Sequence, residues 1–302
     1  MAASIGASPS PNTQLPAPSQ SVIRARAKYY GARRLLTFDE MPAAWKENVN
    51  IVTGYRYYTA ISQCFCSIFR LHNETLNIWT HLLPFFLFDK TARHMRVASD
   101  DRGVIYDSSF FLLFLAAASA CLLCSSIYHT FLCHSRKSVL RSCITIDYMG
   151  ISILINASVS TVVYYGFYKQ SLLQIIYLSI IAVVTLAGVI LPWFRWFDRY
   201  ENRHYRIIIF VLMAVAGFVP GIHLIVIRGL VNTINFVWPV LASLGSYLIG
   251  VLIYAFQFPE KQWPGRFDVW GHSHQWWHLA VVGGIFFHYY ATLRFNDLKY
   301  KY

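Results

Sequence analysis

Asp147 is the one carboxylate inside the predicted apolar spans of this chain, and His129, His274 and His278 stand in such runs as well. An ionisable side chain in hydrocarbon is costly and by default marks a functional site. His274 and His278 are four residues apart, so both imidazoles project from one helix face. That is the spacing of the zincin metal helix, although His274-Gln275-Trp276-Trp277-His278 holds no Glu to act as base. The pair alone reads more readily as two interfacial histidines beside aromatic residues. With His129 it becomes three neutral nitrogen ligands, the pattern of a catalytic zinc with one open position. Asp147 could supply the missing base, and Ser125, four residues before His129, faces the same way.

A helical span needs about 20 apolar residues, because the hydrocarbon core is about 30 Å thick and a helix rises about 1.5 Å per residue. Six runs qualify: Ser108–Ser135, Ser142–Tyr168, Gln170–Phe194, Ile207–Ile227, Gly229–Pro259 and Val269–Leu293. A seventh, Thr75–Phe88, is short and extends past Asp89 and Lys90 if those side chains snorkel to the interface. Ile51 to Phe69 is amphipathic and aromatic, which suits a helix lying in the interface within a juxtamembrane region 46–72. Seven spans in 73–302 leave 17 Lys and Arg on the side of the N-terminus and 9 on the other. The positive-inside rule then places the N-terminus in the cytosol and the C-terminus outside. In that topology His129, Asp147 and the His274–His278 pair each lie within roughly 15 Å of the cytosolic end of their runs. Three segments thus bring His, Asp and a His pair to one depth.

Of 302 residues, 56% are apolar and only 13% charged, against about 25% charged in soluble domains. This excludes a disordered chain, a coiled coil and a polar solenoid. The net charge of +12 reads as basic flanks of spans rather than a nucleic-acid surface. Residues 1–45 open on an Ala, Ser and Pro-rich stretch without an apolar signal region, and are expected to be a disordered basic cytosolic tail. The six cysteines show no paired zinc spacing, and Cys121-x-x-Cys124 lies in an apolar run, so buried thiols are expected. His81, His134, His223, His272 and His288 read as interfacial or packed side chains. Asp198-Arg199-Tyr200 reads as a solvated connection.

Several motifs resemble one family. Asn73-Glu74-Thr75-Leu76-Asn77-Ile78-Trp79-Thr80-His81 is similar to the start of the first span in the progestin and adipoQ receptor family, adiponectin-receptor-like and hemolysin III related. Ser125-Ser126-Ile127-Tyr128-His129 resembles its Ser-x-x-x-His motif, and Asp147-Tyr148-Met149-Gly150 its third-span Asp motif. Phe258-Pro259-Glu260-Lys261 through Pro264-Gly265-Arg266-Phe267-Asp268 resembles the loop before its last span, and Gly271-His272-Ser273-His274 through His278 its final motif. Together they cover roughly residues 28–295 in the family's order. Leu76 departs from the usual Gly. The resemblance, which extends to a fungal branch linked to zinc and lipid homeostasis, implies an all-α bundle of seven transmembrane helices. It also implies Zn²⁺ on His129, His274 and His278. Alkaline ceramidases of the wider superfamily add Ser and Asp positions, matching Ser125 and Asp147.

The expected activity is zinc-dependent hydrolysis of a lipid amide of the ceramide type in sphingolipid signalling. Zinc can bring the pKa of a bound water to about 7. Asp147 would take the water proton as general base and pass it to the leaving amine, and Ser125 would orient the water or a ligand. The alternatives are a receptor for an external ligand with structural or regulatory zinc, and a zinc- and lipid-homeostasis protein without hydrolase activity. The expected surroundings are the lipid bilayer of the plasma membrane or endoplasmic reticulum, with no nucleic-acid partner.

Overall fold

The computed structural model describes residues 18–101, 109–197 and 199–298. Among these, every extended element is a helix, and strand pairing is limited to two isolated bridges, Leu36 with Tyr55 and Tyr58 with His134. The helices are α1 (Gln20–Gly31), α2 (Ile61–Ser67), α3 (Thr75–Asp101), α4 (Ser109–Phe131), α5 (Lys137–Gly166), α6 (Ser171–Ile190), α7 (Arg203–Val215), α8 (Phe218–Arg228), α9 (Leu230–Phe256) and α10 (Ser273–Leu298).

Five helical segments are long and apolar enough to cross a membrane: Ser109–Phe131, Lys137–Gly166, Ser171–Trp193, Arg203–Arg228 and Leu230–Phe256. Their outward faces leave Val226 78% and Val183 69% exposed, which is unfavourable in water and neutral against lipid tails. The apolar part of α3 is Thr75–Phe88, and its helix runs on past Asp89 and Lys90 to Asp101. α10 is 26 residues long but is not among the five; polar residues lie along its whole length, His274, Gln275 and His278 in its first turns and His288, Arg294 and Asn296 in its last. The expected span Ile207–Ile227 is two helices, α7 and α8. The break at Ala216–Gly217 precedes Pro220, whose missing N–H cannot complete the ladder of the turn before it.

Small residues set the registers that matter for the site. A Cβ placed on Gly250 of α9 would lie 2.4 Å from the Ala280 Cβ of α10, so these two helices meet almost backbone to backbone. Ser246 Oγ donates to Ala280 O at 2.8 Å and Ser243 Oγ to Gly284 O at 2.7 Å across the same seam, which pins α10 against rotation. A Cβ on Gly150 of α5 would lie 3.1 Å from the Cys121 Cα of α4. Because α4 and α5 run antiparallel, this contact brings Asp147, one turn before Gly150, level with Ser125, one turn after Cys121. Cys121 itself is buried in an apolar cluster with Phe114, Leu122 and Ile285, as a packed thiol.

The described part of the 1–45 segment is ordered, which corrects the expectation of a disordered tail there. Residues 1–17 lie outside the described residues. Ala27, Leu36, Met41, Trp45 and Tyr57 bury one another. Leu36 and Tyr55 exchange backbone hydrogen bonds of 2.7 and 3.0 Å, and Trp45 Nε1 donates to His134 O at 3.2 Å. The apolar residues are spaced too irregularly to announce this packing, and they find partners only on the loop side of the bundle. The expected interfacial helix over Ile51–Phe69 is likewise reduced to the seven residues of α2. The stretch before it runs extended, with Tyr58 N donating to Cys133 O at 2.9 Å. Those backbone groups are satisfied by the α4–α5 connection, not by a helix.

Candidate metal centre

Three elements meet at the loop end of the bundle. α4 presents His129 near its C-terminus, and α10 presents His274 and His278 on successive turns of its first half. The start of α3 closes the third side. One nitrogen from each of the three imidazoles falls within 4.8 Å of the others, and His129 Nε2 lies 3.2 Å from His274 Nε2. A tetrahedral metal with metal–nitrogen bonds of about 2.0–2.1 Å separates its ligand atoms by about 3.3 Å.

The ring tautomers follow from the partners on the far side. His129 Nδ1 is 2.7 Å from Glu74 Oε2, and an ionised carboxylate can only accept, so Nδ1 carries the proton. His278 Nδ1 is 3.0 Å from the Asn77 carbonyl oxygen, which also only accepts. The Nε2 atoms of His129 and His278 are therefore lone pairs. Lone pairs that converge in a buried space repel unless a proton or a metal cation lies between them. Two of the three imidazoles have the outer nitrogen held, His129 by a carboxylate and His278 by a carbonyl, which is the ordinary support of a metal centre. This group could hold a metal ion.

The support comes from residues that sequence spacing did not single out. The Asn77 amide donates to Glu74 Oε2 at 2.6 Å, so Glu74 is held from two sides. Burial pushes the Glu74 carboxyl up, and the hydrogen bonds it accepts from His129 and Asn77 pull it down. His81, expected as a packed side chain, stacks on His278 with centroids 3.8 Å apart and planes 6° off parallel. Its Nε2 lies 3.3 Å from the His278 carbonyl. Glu74, Asn77 and His81 follow an i, i+3, i+7 pattern into the start of α3, and all three fall within the Asn73–His81 motif. Arg56, buried, donates to the His129 carbonyl at 2.7 Å and to Ser67 Oγ at 2.5 Å, which ties α2 to the end of α4.

Ser125 is buried and Asp147 partly buried; the Ser125 hydroxyl donates to the Asp147 carboxylate, and the carboxylate is close enough to His129 to interact with it electrostatically. The remaining histidines are used elsewhere: His272 Nε2 faces Asn73 O at 3.1 Å, His288 Nε2 faces Thr161 Oγ1 at 2.8 Å, and His223 Nδ1 faces Tyr177 at 2.9 Å. A cavity of about 90 Å³ opens beside the cluster at the loop end, lined by Glu47, Glu74, His129, Arg203, Tyr254 and His274. Two of the three imidazoles, His129 and His274, stand in its lining. The loop that frames it is fastened by Glu260, which accepts from Ser273 N and Oγ and from Asn48. Asp268 fastens it too, accepting from Val52 N at 2.9 Å and Thr53 N at 2.7 Å.

The haemolysin-III related family model matches residues 69–289, which include Glu74, Asn77, His81, Ser125, His129, Asp147, His274 and His278. The chain belongs to the haemolysin-III related family. It is 40% identical over 279 residues to an uncharacterized Schizosaccharomyces pombe protein, covering 92% of this chain and 63% of that one. It is 35% identical over 269 residues to the Caenorhabditis elegans progestin and adipoQ receptor-like protein 1, covering 87% and 62%. It is 34% identical over 277 residues to the Saccharomyces cerevisiae ADIPOR-like receptor IZH2, covering 88% and 85%. The chain thus spans less than two thirds of the first two relatives. These matches agree with the resemblance drawn from the motifs, and with the apolar helices they make the chain a multi-pass membrane protein.

Proposed function

We propose that this haemolysin-III related protein is a zinc-dependent intramembrane hydrolase of a lipid amide, with ceramide or a related lipid as substrate. The observation that carries this reading is the convergence of three imidazole nitrogens beside an Asp147–Ser125 pair. Zinc bound by His129, His274 and His278 supplies a Lewis acid and a water of lowered pKa. Asp147 accepts a proton from the attacking water and returns it to the leaving amine. Ser125 holds the Asp147 carboxylate in one orientation by donating to it. Glu74 and Asn77 keep the lone pairs of His129 and His278 turned inward. The apolar helix faces around the site suit an acyl chain. In this reading α3 and α10 complete seven spans, with the N-terminus cytosolic and the C-terminus outside, as the 17-to-9 charge bias requires.

The test is sphingoid-base release from ceramide by purified protein in lipid, with and without a chelator. Release that the chelator abolishes and zinc restores supports the reading. No release from metal-loaded, folded protein refutes it. The second reading is a receptor in which the metal is structural, and the names of the relatives favour it. In that case metal removal would lower stability and ligand response, with no turnover to lose.

A further inference from the structure

A second cavity, of about 470 Å³, lies outside the metal centre, between the end of α1 and α2. Its lining includes Arg33, Arg34 and Arg70, with Tyr58, Ser62 and Gln63, and no acidic residue. Arg34 is occupied by Glu40, which receives its NH1 at 2.8 Å and its NH2 at 2.5 Å. Arg33 is stacked over the Tyr29 ring at 3.9 Å and donates to the Tyr29 carbonyl, and Arg70 stands beside the Tyr58 hydroxyl. Among the described residues neither Arg33 nor Arg70 has a carboxylate partner. The cavity therefore holds two uncompensated guanidinium groups and several neutral hydrogen-bonding groups.

Its depth follows from α2. Phe65 packs edge-on against Phe131 at the end of α4, with centroids 5.0 Å apart, and Phe69 packs against Trp79 in the second turn of α3, at 5.9 Å. Trp79 Nε1 donates to the Ile68 carbonyl at 3.0 Å. A tryptophan with one polar contact at a span's end marks the interface between head groups and hydrocarbon. Phe69 is nevertheless 80% exposed, and Ile61, Phe65 and Leu71 are exposed with it. α2 thus turns an apolar face toward lipid at the level where it turns a basic cavity toward the head groups.

We infer that this cavity binds the phosphate of an anionic membrane lipid through Arg33 and Arg70, with the acyl chains lying along Phe65, Phe69 and Leu71. Guanidinium forks match phosphate oxygens in pairs, and the Tyr58, Ser62 and Gln63 groups can donate to those that remain. Free inorganic phosphate would use the same donors but not the apolar face, which commits the site to a lipid. The inference is independent of hydrolysis at the metal centre.

The full chain in detergent is presented with phosphatidic acid and phosphatidylcholine of identical acyl chains, and retained lipid is read by native mass spectrometry. The wild-type chain is expected to retain phosphatidic acid preferentially. Each arginine facing an anionic lipid contributes about fivefold, so Arg33→Gln with Arg70→Gln should reduce the preference by roughly 25-fold. Arg26→Gln removes the same charge from an exposed position of α1 outside the cavity and should leave the preference within about twofold. Arg70→Lys keeps the charge without the fork and should fall between, which provides a second reading if the double variant fails to fold. A double variant that retains the full preference overturns the inference. So does an Arg26→Gln loss as large as that of Arg70→Gln, which would indicate a diffuse field. Displacement of the lipid by millimolar inorganic phosphate would overturn the assignment to a lipid.

Discussion

Replacing Glu74 by Gln tests whether the imidazole cluster is organised for a metal. Glu74 Oε2 receives the His129 Nδ1 proton at 2.7 Å and the Asn77 amide at 2.6 Å. A glutamine oxygen in the same place can still accept both, but the negative charge is lost and the two hydrogen bonds are no longer charge-assisted. His129 then has weaker reason to keep its Nε2 lone pair turned toward His274 and loses basicity. Outer partners of this kind are typically worth 10–100-fold in metal affinity, or about 1.4–2.7 kcal/mol. The assay is competition against a fluorescent zinc chelator on purified, monodisperse protein, together with metal content by mass spectrometry. Wild type should carry about one Zn²⁺ per chain, His274→Ala and His278→Ala should carry little, and Glu74→Gln should bind 10–100-fold more weakly than wild type. Glu74→Gln affinity within about twofold of wild type would refute the supporting role. Full zinc in both His→Ala variants would refute the ligand set itself.

Asp147→Asn should keep most of the metal and lose hydrolysis, because the amide cannot take the water proton; metal loss as severe as in His129→Ala would make Asp147 a ligand instead. Gly250→Ala places a methyl 2.4 Å from the Ala280 Cβ and should destabilise the bundle by about 1–3 kcal/mol. This should appear as a lower unfolding temperature in detergent together with weaker metal retention, since Ala280 lies two residues from His278. An unchanged melt would mean that α9 and α10 separate easily. For topology, a glycosylation sequon appended well beyond Tyr302 should be modified while Asn73-Glu74-Thr75 is not. The opposite pattern would invert the proposed orientation.

The grouping of His129 with His274 and His278 was legible in the sequence from the expectation that alternating spans put every second connection on the same side. Residues near those ends then share a depth whatever their lateral neighbours. The apolar runs behind α4, α5, α6 and α9 were legible for a similar reason: hydrocarbon leaves a helix as the way to satisfy each backbone group within its own segment. Lateral contact is not local, and only tertiary structure decided it. The meeting of Gly250 with Ala280 and of Gly150 with Cys121 determines which helix faces touch, and so brings Ser125 to Asp147 and α10 to the start of α3. Glu74, Asn77 and His81 stand ahead of the His129 and His274–His278 motifs in sequence and meet them only when that face of α3 lies against α10. The same holds for Trp45 and Tyr57, whose burial depends on partners from the loop segment and, through His134, from the α4–α5 connection. A membrane span declares itself by the solvent it needs, whereas a ligand's supporting shell exists only after the helices have chosen their neighbours.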